Sequence, residues 1–167
     1  MKRPEVLYFF ERPEAVPPKR LFQIRDLIEE GTGVGTSWIM ENLQRAFLIG
    51  YAEHSAEIVG TSTHKYPKDS YRKKIEDATG LDLSGYLERG YTAVRPGYRG
   101  LGIGGRLIRG LIERSGDKKV YVTIRTDNVP PLKMTHREGM LLVATFRNHR
   151  TGHELALFAN QRPPLKA

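Results

Sequence analysis

Apolar positions recur along this chain with two periods. Alternating or continuous runs rich in Val, Ile, Tyr, Phe and Thr predict strands over residues 5–11, 46–53, 58–65, 87–94, 120–124, 140–146 and 153–159. Between them, apolar residues three and four apart predict helices over 18–30, 37–45, 103–114 and 128–138. Pro17 and Pro18 set the first helix start and Gly31 its end. Thr36 or Ser37 is the expected cap of the second, after a flexible Gly31–Gly35 stretch. Trp38 and Met40 on that helix are expected in the core, with a substrate-facing position as the alternative. Residues 54–57 join two strands as a hairpin, and 147–152 join the last two. Residues 66–85 carry a short helix capped by Asp69 or Ser70 and closed by Gly80, with a basic, aromatic character from Tyr66, Lys68, Tyr71, Arg72, Lys73 and Lys74. That segment is either a flap over a substrate or a solvated excursion.

The stretch from Tyr86 to Arg114 organises the rest. A strand ends at Val94, Pro96-Gly97 breaks it, and glycines lead into a helix with Ile103, Leu107, Ile108 and Leu111 on one face. A helix that begins in glycines presents several unpaired backbone N–H groups at its positive dipole end, which suits a phosphate. Gly100, Gly102 and Gly105 satisfy the dinucleotide fingerprint G-x-G-x-x-G. However, a polar turn, Arg95 to Arg99, separates the strand from the glycines, and too little chain follows for a doubly wound sheet.

Arg99-x-x-Gly102-x-Gly104 after a strand and before an amphipathic helix resembles motif A of the GNAT superfamily, the acyl-CoA-dependent N-acyltransferases. A second stretch is similar to the family as well: the strand 120–124, then Asn128, a helix, and Gly139-Met140. Met140 stands where an aromatic is usual, and Thr135 where a Tyr is usual. The resemblance implies an α/β chain of the α+β kind, with a mixed, mostly antiparallel sheet of about seven strands and helices on both faces. The implied order is strand, two helices, three strands, helix, strand, helix, two strands. It also implies a single domain over 1–160, with 66–85 as an insertion and 161–167 as a loose tail.

The resemblance further implies acetyl-CoA as co-substrate. Arg99, Gly100, Leu101, Gly102, Ile103, Gly104 and Gly105 would hold its pyrophosphate, Thr92, Ala93 and Val94 its pantetheine arm, and Asn128 would support the other side. Glu88 lies six residues before Val94, the offset of the glutamate base in the histone-acetyltransferase branch. Strand alternation would put residues 88, 90, 92 and 94 on one face. Thr135 takes the catalytic position of the missing Tyr but cannot donate a proton as a phenol does. Water, Tyr91, Tyr98 or His136 is the substitute, or the thiolate leaves unaided. The implied activity is N-acetylation of a primary amine on a small molecule or peptide, by direct transfer in a ternary complex. A non-catalytic CoA-binding regulatory module is the alternative.

Composition changes this picture little. The 167 residues carry a net charge of +8 at a pI near 9.8, which suits polyanionic ligands such as CoA. No nucleic-acid motif accompanies the charge, so no nucleic-acid partner is expected. With no cysteine, disulfides, thiol nucleophiles and Cys-type zinc sites are excluded. His149 and His153 are read as loop residues rather than a metal pair, so no metal is expected. The N-terminal apolar run 6–10 is too short for a signal or a membrane span, which points to a cytoplasmic protein without a membrane partner. A homodimer is compatible with the family.

Overall fold

The computed structural model describes residues 2–32 and 37–167. Seven strands, β1 (Leu7–Glu11), β2 (Leu48–His54), β3 (Glu57–Lys65), β4 (Leu87–Val94), β5 (Val120–Arg125), β6 (Leu141–Arg147) and β7 (Glu154–Ala159), form a mixed sheet in the order β1-β2-β3-β4-β5-β7-β6. β4 and β5 run parallel, whereas β1-β2, β2-β3, β5-β7 and β7-β6 are antiparallel. Five helices accompany them: α1 (Pro18–Thr32), α2 (Ser37–Gln44), α3 (Asp69–Thr79), α4 (Ile103–Arg114) and α5 (Val129–Arg137). The α+β architecture expected from the motifs is the one found. Its helix count rises by one because the 66–85 segment contributes α3.

The chain divides into two compact units, Met1–Lys65 with Arg89–Gly116 and Tyr66–Glu88 with Asp117–Ala167. In the first, the two-residue period of β2 and β3 serves two cores. Ile49, Tyr51 and Ile58 face Ile24, Leu27, Ile28 and Ile39 of α1 and α2. Ala52 and Val59 join Ile103 and Leu107 of α4. Glycine makes that second contact close: a Cβ on Gly60 would stand 2.8 Å from Ile103 Cγ2. α1 continues through Gly31, correcting the expected stop there. The caps expected at Thr36 and Ser37, and the rest of the 33–36 stretch, lie outside the described residues and side chains. Trp38 is 58% exposed rather than in the core, whereas Met40 packs against it.

The β2–β3 hairpin closes through Ser55 and Ala56 at φ +50° and +65°, the backbone of a type I′ turn without its usual glycine or asparagine. Arg20 holds it, donating to the Ala56 carbonyl at 2.8 Å and pairing with Glu53 at 2.7 Å. A left-handed alanine is strained. Ala56→Gly is expected to add about 0.5–1 kcal/mol, after the entropy glycine gives the unfolded chain, read by thermal unfolding.

Burial also leaves one acid-sensitive group. His64 on β3 is fully buried, its Nδ1 2.7 Å from Ser115 Oγ, and its Nε2 has no hydrogen-bond partner among the described residues. Burial first, and then the buried Arg89 guanidinium, lower its pKa from 6.5 to about 3. The folded state keeps His64 neutral, while the unfolded chain takes up a proton below about pH 6.5. Stability is therefore lost as pH falls through the window between those two values. Between pH 7 and pH 5 the loss from this group is about 2 kcal/mol. A His64→Gln variant should show a correspondingly smaller drop in its urea midpoint over that range.

In the second unit, α3 is no solvated excursion. Ile75 and Leu83 are fully buried with Tyr86, Tyr121, Leu157 and Ala159, and Phe146 packs against them. Lys68, not Asp69 or Ser70, occupies the cap position and makes no side-chain bond there; Asp69 sits in the first turn, where its charge suits the dipole. Gly80 ends the helix at φ +73°, as expected. The buried Glu76 carboxylate accepts the Leu83 N–H at 2.8 Å and faces Lys166 Nζ at 3.6 Å. The Pro-rich end, expected to be loose, instead pairs its backbone: Asp82 N–H to Pro164 O and Lys166 N–H to Gly80 O, both 2.8 Å. Its partners come from a helix terminus more than eighty residues earlier, a contact that no local pattern encodes.

Candidate active site

The glycine turn has the form the sequence implies. Beyond β4, a 3-10 turn, Pro96–Tyr98, leads to Arg99, whose Nε donates to the Val94 carbonyl at 3.2 Å and ties the turn to the strand end. Gly100 and Gly102 take φ +78° and +81°, which a side chain would resist, and a Cβ built on either meets nothing within 4 Å. Their outer side is therefore open to a ligand. Gly102 is the N-cap of α4 and supplies no side-chain cap. The first-turn amides of α4 have no acceptor within the helix, and the Gly104 and Gly105 positions carry no side chain to cover them. Ile103 and Leu107 anchor this helix start in the core. Ile103, Gly104 and Gly105 are buried at this helix start, so the accessible part of the turn is Gly100 and Gly102, whose place at the positive dipole end of an anchored helix fits a pyrophosphate.

β4 itself departs from simple alternation. Tyr91 lies at φ +52°, a left-handed residue inside the strand. Counting by two from Glu88 to Thr92 and Val94 fails across such a residue, so the shared face expected for residues 88, 90, 92 and 94 is corrected. Tyr91 is held in this conformation from two sides. Asn42 Nδ2 donates to its hydroxyl at 2.7 Å, and Lys65 Nζ lies 4.2 Å from its ring centre. Thr92 Oγ1 meets Ser62 Oγ at 2.8 Å, and Ala93 is buried with α1 and α2. Thr92, Ala93, Val94 and the glycine turn are thereby gathered in the first unit.

Glu88 belongs to the second unit. It pairs in parallel register with Tyr121, whose hydroxyl donates to Glu88 Oε2 at 2.9 Å. Burial, and then the Glu88 charge and hydrogen bond, raise the Tyr121 phenol far above its ordinary value, so it stays protonated and donates. Tyr121 was not singled out from the sequence; it reads there as one apolar residue of a strand, and only parallel pairing reveals its role. Thr123, the next residue on the same face, meets the Tyr71 hydroxyl at 3.1 Å.

Thr135 is fully buried in α5, where its carbonyl accepts the Met140 N–H at 3.3 Å. That bond is made by the Thr135 backbone, and its side chain is buried. Asn128 is exposed at the start of α5; its N–H donates to Arg125 O at 3.0 Å and its side chain makes no cap bond. Of the alternative acids, Tyr98 has its hydroxyl 2.6 Å from His54 Nδ1, and His136 is exposed on α5. Among the described residues no group of three or more His, Asp or Glu side chains could hold a metal ion.

A family model described as the acetyltransferase (GNAT) family matches residues 8–140. The chain belongs to the GNAT family. Solved structures agree at the level of fold. An IAA acetyltransferase from Bacillus cereus is 16% identical, with a TM-score of 0.67 over 96% of this chain and 100% of that one. The ribosomal-protein-S18-alanine N-acetyltransferase from Escherichia coli is 13% identical, with a TM-score of 0.67 and 96% of each chain covered. A GNAT family acetyltransferase from Elizabethkingia anophelis, with acetyl-CoA bound, is 16% identical, with a TM-score of 0.64 over 92% of this chain and 96% of that one. No curated protein sequence matches. The glycine turn lies within the residues that the family model matches. Among the described residues no helix of this GNAT chain is long and apolar enough to cross a membrane.

Proposed function

We propose that this protein is an acetyl-CoA-dependent N-acetyltransferase acting on a primary amine of a small molecule or peptide, by direct transfer in a ternary complex. The observation that carries the reading is the open glycine turn at an uncapped helix start, in a chain of the GNAT family. Acetyl-CoA would supply the acyl group as a thioester. The amides from Arg99 to Gly105 bind its pyrophosphate, and the backbone of Thr92, Ala93 and Val94 aligns its amide-bearing arm as an added strand would. Glu88 takes the proton that an ammonium acceptor must lose before its lone pair can attack. The Tyr121 hydroxyl orients the carboxylate for that transfer. A new C–N bond then replaces the C–S bond, and the surplus proton of the attacking nitrogen passes to the departing sulfur, directly or through water. The departing thiolate needs no phenolic acid, because a thiol pKa of about 8.5 makes it a fair leaving group. Burial of Thr135 is consistent with a reaction that proceeds without one.

The deciding experiment compares thermal stability with acetyl-CoA, CoA and NADH at equal concentration. A ligand at about 100 times its dissociation constant adds about 2.7 kcal/mol. Stabilisation by the two CoA species and not by NADH is expected, followed by turnover on a panel of amines. Stabilisation by NADH alone would overturn the reading. CoA binding without turnover on any amine would favour a CoA-sensing module instead.

A further inference from the structure

The second unit contains a groove that no part of the acetyl-transfer reading uses. It has a volume of about 500 Å³ and lies between α3 and the turn joining β6 to β7. That size falls within the range of small-molecule pockets. One wall is a single helical face, Tyr71, Lys74, Ile75 and Ala78, spaced three, four and seven residues from the first. The other wall runs from Phe146 to Arg150.

The two walls differ in chemistry from base to rim. Ile75 is fully buried, and Phe146 and Tyr71 pack into the same core, so the base is apolar and anchored. Tyr71 is further fixed by its hydroxyl on Thr123. Three full positive charges, Lys74, Arg147 and Arg150, stand around this base, with His149 beside them. None of the three has a carboxylate partner among the described residues. The one acidic side chain of the lining, Asp77, is itself faced by Lys166 Nζ at 3.9 Å. The turn that carries the arginines is preorganised. Asn148 Oδ1 accepts the Arg150 N–H at 2.9 Å, and Arg147 Nη1 donates to Gly152 O at 2.6 Å.

Glu154 stands opposite Arg147 across the β6–β7 pair without forming an ion pair. The rim therefore keeps an excess of positive charge over an apolar base, complementary to a molecule with the reverse arrangement. We propose that this groove binds an amphipathic anion, a small molecule with a ring-sized apolar body and a carboxylate or phosphate head. The body lies against Ile75, Ala78 and Phe146. The head meets Lys74, Arg147 and Arg150, where charge-assisted hydrogen bonds are available. None of these lining residues belongs to the glycine turn, and the proposal holds whether or not acetyl transfer is the activity.

The test uses the full chain saturated with CoA, so that the glycine turn is occupied. Phenylacetate, phenyl phosphate, neutral phenylacetamide and inorganic phosphate are titrated in turn, with binding followed by NMR at His149 and Phe146. An aromatic anion is expected to shift both residues and to bind about tenfold or more tightly than either phenylacetamide or inorganic phosphate. The tighter of the two aromatic anions identifies the head group. Lys74→Ala combined with Arg150→Ala should weaken it by about tenfold or more, whereas Lys19→Ala with Arg45→Ala, an equal loss of charge in the first unit, should change little. All four substituted side chains are exposed, so the fold is retained. Equal affinity for phenylacetamide would overturn the cationic rim, and equal affinity for inorganic phosphate the apolar base. No shift at His149 and Phe146, or equal weakening by the control pair, would overturn the site itself.

Discussion

Replacing Glu88 by Gln is expected to lower kcat by about 100-fold or more, the usual contribution of a positioned general base. Glutamine keeps the size of the side chain and an oxygen that can accept from the Tyr121 hydroxyl, so the β4–β5 pairing around it is preserved. What it cannot do is take a proton. Acetyl-CoA affinity should stay within about threefold, because the loss concerns only the transition state. Steady-state kinetics on the best amine, with acetyl-CoA affinity measured by calorimetry, separate the two quantities. Unchanged kcat would make Glu88 a structural partner of Tyr121 and remove it from the mechanism. A Tyr121→Phe companion deletes the hydroxyl that orients the carboxylate. If the pair acts as a unit, its effect in the Glu88→Gln background is much smaller than in the parent.

The second large effect is expected at the glycine turn. Gly102→Ala puts a Cβ on the open side of the cradle, where the ligand-free protein has nothing within 4 Å. In the free protein the cost is thus confined to left-handed strain, about 1 kcal/mol. Bound pyrophosphate, by contrast, would be held off the amides, and acetyl-CoA affinity should fall by about tenfold or more. Gly102→Asn separates the two causes. Asparagine adopts the left-handed region more readily, so its melting temperature should lie closer to the parent while its affinity falls as far. Parent-like affinity in both variants would show that the ligand does not approach the amides of this turn.

Much of the molecule was legible from local pattern. The seven strands and four of the helices follow from apolar periods, because each buries one face against a neighbour and the spacing of that face is written in consecutive residues. The cradle was legible for the same reason: Gly100 and Gly102 need positive φ, and a helix start needs nothing beyond its own first turn to present amides. Ile103 and Leu107 could be assigned to the core from spacing alone, and the charge and lack of cysteine narrowed the chemistry before any contact was known.

What the sequence did not determine depended on residues far apart in the chain. Tyr121 became the partner of Glu88 only through parallel pairing across 33 positions. Thr135 aligned with a catalytic position by offset, yet packing seals it, and burial is a property of neighbours rather than of spacing. Tyr91 bends β4 into the left-handed region although nothing in its type favours that conformation; Asn42 and Lys65 hold it there from other elements. The basic 66–85 segment read equally as flap or excursion until Ile75 and Leu83 were found in one core with Tyr121 and Leu157. Periods of two and 3.6 residues are set by the backbone itself, so the chain carries them in its own order. Which faces meet, and which polar groups then find partners, is settled only when distant segments exclude water from one another.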